Sequence, residues 1–225
     1  MRNFVYNKPM ISNSSENDVS KNNVNQLLPW ILMGAVNLLM VLFLWTQGRI
    51  WWCKWDTPAY IASFSAWSKH TSQHFFDPYS FTHVLHGFLF FWLLDLIFNK
   101  FEVKKLSFAW LMFWAVFIEA AWEVLENSSF IIERYREHTA SLDYFGDSIG
   151  NAFGDVLACM LGVYIACKLK FWWSLAVFLI VELILVITIR DSLLINIIML
   201  IYPIEALKNW QTVGNEAVQT LALFF

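Results

Sequence analysis

The sequence predicts an all-α integral membrane protein, a bundle of five or six transmembrane helices around a polar cavity open to the periplasmic side. Three observations predict it. The 225-residue chain is 58% hydrophobic with a mean hydropathy of +0.51, and 13 Trp and 21 Phe stand beside only 15% charged residues, usage far from that of a soluble domain. Its apolar residues gather into stretches of about 20, the helical length that crosses roughly 30 Å of hydrocarbon. Two stretches, 72–87 and 119–155, then place histidines and acids within segments otherwise apolar enough to cross. Charge at that depth is costly and is usually held by a partner, an ion or a function.

Taken in order, residues 1–26 are polar and rich in Asn and Ser and read as a flexible cytoplasmic tail. No short apolar core with a cleavage site follows, so a removable signal peptide is not expected. Residues 27–46 form the first span, with Pro29 near its start and Trp30 and Trp45 as interfacial anchors. In the long aromatic connection 47–80, Asp56-Thr57-Pro58 fits a helix start. Residues 59–67 would then put Tyr60, Phe64 and Trp67 on one face, as an interfacial helix or an ordered loop. The second span, 81–98, carries Thr82, His83 and His86 in its first turns, and the third, 106–125, carries Glu119 and Glu123 in its last. The fourth, 149–169, contains Asn151 and Asp155, and the fifth, 171–189, one acid, Glu182. Pro203 interrupts 192–210, which is either a sixth, kinked span or a helix in the interface. With no internal repeat, 27–210 reads as one domain, followed by a short tail, 211–225.

Lys and Arg set the orientation. With the amino terminus inside and six spans, inner segments hold nine and outer segments six, and the short loop 99–105 alone has three lysines. Both polar stretches and the Arg190-Asp191 turn then fall on the outer side. The net charge of −3 gives no argument for nucleic acid. The three scattered cysteines argue against a disulfide framework, and their spacing against a thiolate zinc site. His70 and His138 read as ordinary loop residues.

At about 100° per residue, Glu119, Glu123 and Glu126 lie within roughly 60° of one another on a helix, and Asp147, Asn151 and Asp155 make a second stripe. His83 and His86, three apart, share a face. Glu119 and Asp155 both sit roughly 12 Å from their helix ends, so one layer could hold them all. Gly146, Gly150 and Gly154 run beside the acid stripe at the spacing that lets two helices approach closely. Glu119, Glu123, Glu126, Asp143, Asp147 and Asp155 face only Arg134 and Arg136 nearby. Protonation, ion pairs or a divalent cation are the ways to neutralise them. For a mixed His/carboxylate set, zinc, manganese or iron is more natural than calcium. No His-Glu-x-x-His, Gly-x-Ser-x-Gly or paired Glu-x-x-His signature is present.

The strings Ser72-Gln73-His74-x-x-Asp77-Pro78-Tyr79-Ser80-Phe81-Thr82-His83-x-x-His86-Gly87, Trp122-Glu123-x-x-Glu126-Asn127, Arg134-Tyr135-Arg136 and Asp143-Tyr144-x-Gly146-Asp147-Ser148 carry a resemblance. So do Arg190-Asp191, Asn196 and Pro203-x-Glu205. From about Trp45 to Trp210 the chain resembles an uncharacterised family of bacterial multi-pass inner-membrane proteins, a domain of unknown function. The resemblance implies localisation and topology, and no reaction. In architecture alone, acids and Asn around an outward-facing His are similar to VanZ-like membrane proteins.

The expectation is a membrane-embedded enzyme performing metal-assisted hydrolysis or group transfer on a lipid or lipid-linked substrate. His83, His86, Glu123 and Asp147 would hold the divalent metal. Glu119 or Asp155 would act as general base, with Glu126 in the catalytic set. Arg134 and Arg136 would fix an anionic head group, beside Asn127, His74 and Asp77. Membrane lipids are the expected partners and nucleic acid is not. A transporter using the same acids for protons or cations, and a structural or assembly protein with a satisfied polar network, are the alternatives.

Overall fold

The computed structural model describes residues 16–55, 60–100, 106–139 and 144–222. Over these the chain is helical, in the order α1 (Glu16–Thr46), α2 (Ser80–Asp95), α3 (Phe108–Glu126), α4 (Ser129–His138), α5 (Ile149–Lys168), α6 (Phe171–Ile189), α7 (Leu193–Ile201) and α8 (Glu205–Ala222), with a π-helical turn, Leu96–Lys100, extending α2. Four of the helices start on a serine. The hydroxyls of Ser107, Ser128, Ser148 and Ser192 each accept from the backbone N–H three residues on, satisfying a donor that the first helical turn leaves open.

Among the described residues, five helices are long and apolar enough to cross a membrane, at Gln26–Thr46, Ser80–Phe98, Phe108–Glu126, Ile149–Lys168 and Phe171–Ile189. The segment 192–210 is not among them. It breaks into α7, whose nine residues reach only about 14 Å, and the start of α8 beyond Pro203. Helix α1 begins at Glu16, within the stretch read as a tail, and α8 runs on to Ala222. Residues 60–67 form no helix. Ala62 instead pairs with Phe76 in an isolated parallel bridge, with Ser63 N–H donating to Phe76 O at 3.0 Å. The Asp56-Thr57-Pro58 helix start, Asp143, Lys104 and Lys105 lie outside the described residues.

Helices α2 and α5 form the tightest pair. A Cβ on Gly87 would stand 2.6 Å from Val163 N and 2.8 Å from Gly162 Cα, so only glycine allows this backbone approach. The predicted stripe has a different use. A side chain at Gly150 would meet the Trp52 ring at 2.8 Å, and one at Gly154 the Phe75 carbonyl. These glycines admit loops rather than a neighbouring helix. Around this pair, Leu44, Val116, Val156 and Val163 fill one core and Leu85, Phe88, Phe178 and Leu185 another. Leu42, Leu183, Ile187 and Trp172 point outward, as lipid-facing side chains do.

The polar connections gather at one end. Gln47 Nε2 donates to Val124 O at 3.0 Å, Ser148 N–H to Ser72 O at 2.9 Å and Tyr79 OH to Asp191 at 3.2 Å. The ends of α1, α3 and α6 and the starts of α2 and α5 therefore share one face of the bundle.

Candidate functional site

Three helices deliver the central side chains. The first turns of α2 carry His83 and His86, the last turns of α3 carry Glu119, Glu123 and Glu126, and the second turn of α5 carries Asp155. His83 Nδ1–H donates to Glu119 Oε1 at 2.5 Å, and its Nε2 lies 3.9 Å from Asp155 Oδ2. Glu119 also receives His86 Nδ1, at 3.0 Å from Oε2. One carboxylate thus ties both imidazoles together. Ser80 Oγ donates to Asp155 Oδ1 at 2.8 Å.

Glu123 is the exception. It is 0% exposed, and neither of its carboxylate oxygens accepts a hydrogen bond from the described residues. His83 Nδ1 lies 3.3 Å from Glu123 Oε1, but the single Nδ1 hydrogen is directed at Glu119. Buried polar atoms almost always have a partner. Two groups of ligand atoms gather here, His83/His86/Glu119 and His83/Glu123/Glu126, each within 4.8 Å. The separation of 3.3 Å between His83 Nδ1 and Glu123 Oε1 is that of two ligands on one tetrahedral ion at about 2 Å.

The site opens into a cavity of about 1110 Å³ lined by His83, His86, Glu126, Asp155, Asp147 and Asp191 among others. Apolar walls rise from Leu89, Phe90, Ile118 and Ile197, and Lys69 stands among the lining residues. Lys69 Nζ lies 4.8 Å from the Trp55 ring centre. Outside the spans, burial raises the Tyr135 and Tyr144 hydroxyls well above their ordinary value, helped by Glu126 at Tyr135 and Asp147 at Tyr144. Both remain donors at neutral pH. Burial also raises Asp147, opposed by bonds from Asn127 and Tyr144, and lifts Asp191 to about 7.

Of the residues singled out in the sequence, the structure brings together His83, His86, Glu119, Glu123, Glu126 and Asp155. Asp147 lines the cavity but belongs to neither ligand group, and Asn127 Nδ2 (2.7 Å) and Tyr144 OH (3.0 Å) occupy its oxygens. The five residues expected to contact substrate do not line the cavity. Asn127 closes the end of α3, donating to Glu123 O and accepting from Asp147 N–H. Asp77 accepts from the backbone N–H groups of Ser72, Tyr79 and Ser80 at the start of α2. His74 bonds the Tyr60 carbonyl. Arg134 donates to the carbonyls of Leu200 and Ile201, satisfying the end of α7, and Arg136 is exposed on α4. Glu119, a candidate base, has both oxygens engaged by histidine. Tyr135, Tyr144, Asp191 and Lys69 went unassigned in the sequence. Each lies outside a span, where a polar residue raises no alarm. The Ile131, Ile132 and Tyr135 spacing on α4 is the one signal that could have placed Tyr135 inward.

The model of a family described as "Protein of unknown function (DUF2585)" matches residues 44–213. A UPF0314 protein of Brucella anthropi is 42% identical over 189 residues, covering 80% of this chain and 91% of its own. A UPF0314 protein of Agrobacterium fabrum is 40% identical over 188 residues, covering 82% and 90%. A third, from Paracoccus denitrificans, is 44% identical over 144 residues, covering 64% and 72%. No solved structure matches.

Proposed function

The chain belongs to the DUF2585 family, and from that premise we propose that it is a membrane-embedded enzyme performing metal-assisted hydrolysis or group transfer on a lipid or lipid-linked substrate. The observation that carries this reading is Glu123, a fully buried carboxylate with no donor on either oxygen, 3.3 Å from an imidazole. Among the described residues, five acids, Glu119, Glu123, Glu126, Asp147 and Asp155, meet two histidines at this site. A divalent cation balances that charge, and a mixed imidazole and carboxylate set suits zinc, manganese or iron.

His83 and Glu123 hold the ion in this reading, with Glu126 and the His86–Glu119 pair completing the set. A bound ion would polarise a carbonyl or phosphoryl group, or activate a water. Protons would compete with an ion for His83 and the carboxylates, so affinity would fall as pH drops. Asp155 serves as the general base in this reading, which its position on the cavity wall, 3.9 Å from His83 Nε2, supports. Tyr144 holds Asp147 in place through its hydroxyl, and Tyr135 lines the cavity bonded to Glu126. Lys69 takes the anchoring role first given to Arg134 and Arg136, and the apolar wall takes an acyl or isoprenoid chain. The amino terminus is cytoplasmic in a bacterial inner membrane, and the cavity faces the periplasm.

Elemental mass spectrometry of the purified chain beside a His83→Ala/Glu123→Gln variant tests this. Loss of about one equivalent of metal between the parent and the variant supports it. A folded parent without metal, in a variant series that merely loses stability, makes the cluster a structural network.

A further inference from the structure

A second cluster lies at the same end of the bundle, outside the spans and apart from the acids. We propose that Cys53, His70 and His74 form a sulfur–nitrogen site for one zinc-type metal ion, set in the loops beside the cavity mouth. Cys53 Sγ lies 3.3 Å from His70 Nδ1, and one ligand atom from each of the three residues falls within a 4.8 Å group. The spacing, 53, 70 and 74, matches no zinc motif, which is why the sequence argued against a thiolate site. The fold supplies the proximity instead.

Both loops are fastened to the start of α5. Ile149 N–H donates to Ile50 O at 2.8 Å and Gly150 N–H to Trp51 O at 3.1 Å, which fixes the segment leading into Cys53. Asn151 Nδ2 donates to His74 O at 2.8 Å, and Ser148 Oγ to Gln73 O at 3.1 Å, which fixes the histidine loop. Ligands held by a rigid element in advance are what an ion-binding site requires.

The orientation of His74 is the second, independent observation. Its Nδ1 lies 2.7 Å from the Tyr60 carbonyl. A carbonyl only accepts, so Nδ1 carries the hydrogen and Nε2 the lone pair. Metal-binding histidines are characteristically set this way by a backbone carbonyl behind them. His74 is 1% exposed, with the Trp52 ring edge-on at 5.9 Å and His70 at 5.5 Å. One thiolate and two imidazoles suit zinc, whereas the oxygen-rich set at Glu123 suits harder ions. Three protein ligands leave a fourth position for water or an exogenous group. Since Trp55, Lys69, Thr71, Ser72 and Gln73 line the cavity, an ion here would stiffen the rim through which substrate passes.

The test uses the full chain in detergent, stripped of metal and titrated with Co²⁺ alone. A thiolate-to-cobalt charge-transfer absorption grows to saturation, at about one equivalent in His83→Ala, where the Glu123 site lacks its imidazole. Cys53→Ser abolishes it, while Cys159→Ser and His83→Ala retain it, so its fate is independent of the Glu123 site. Zn²⁺ also slows alkylation of Cys53 at least about tenfold, and His70→Gln, a second variant should Cys53→Ser misfold, removes that protection. Absence of the band from the folded parent overturns the proposal, as does its survival in Cys53→Ser. Cys53 and His70 would then form a hydrogen-bonded pair and nothing more.

Discussion

Glu123 is the residue on which the account turns. A buried acceptor without a donor costs about 1–3 kcal/mol. Glu123→Met, apolar and close in volume, should therefore raise the stability of the metal-free protein by about that amount, measured by denaturation in detergent. Metal should reverse the ranking, because only the parent gains from binding. Asp191 gives a pH test. Burial raises its carboxyl from an ordinary 3.8 to about 7, against bonds from Ser192 N–H and Tyr79 OH and with Glu182 adding to the rise. Its contribution is therefore complete below pH 4 and is lost as pH climbs to about 7. The loss is on the order of 4 kcal/mol. Asp191→Asn should flatten stability over that window. The central residues were legible because His83, Glu119, Glu123 and Asp155 are conspicuous in apolar runs. Cys53 and His70 were not, since their proximity arises from two loops meeting on α5.

Among the elements, the closest contact was the least visible. Gly87 and Gly162 let α2 meet α5, yet neither belongs to the spaced glycine series that drew attention in the sequence. Gly162→Val should destabilise by about 3 kcal/mol or more, because its Cβ would overlap the Val84 carbonyl. Gly34→Ala is the control. Nothing lies within 4 Å of its added methyl, and helix propensity favours alanine by about 1 kcal/mol. Span positions were legible because apolar length is a local property. The 60–67 segment was not, because its bridge to Phe76 is a non-local pairing that helical spacing cannot reveal.

For the whole molecule, five spans change the charge argument. Lys208 moves to the outer side, so inner Lys and Arg fall from nine to eight and outer ones rise from six to seven. Orientation then rests chiefly on the lysine-rich loop 99–105. An odd number of spans places the two termini on opposite sides. A reporter active only outside the cytoplasm, fused after Phe225, should be active, and activity only when fused before Met1 would invert the topology. The pocket itself follows from this arrangement, because helices running alternately up and down return the His turns of α2, the acid turns of α3 and the start of α5 to one end. The most direct measurement is an anomalous-scattering map from crystals soaked in Zn²⁺ or Mn²⁺. The account predicts a peak within about 2.2 Å of both His83 and the Glu123 carboxylate. A map without that peak, in which Glu123 instead meets a protein donor, would contradict it.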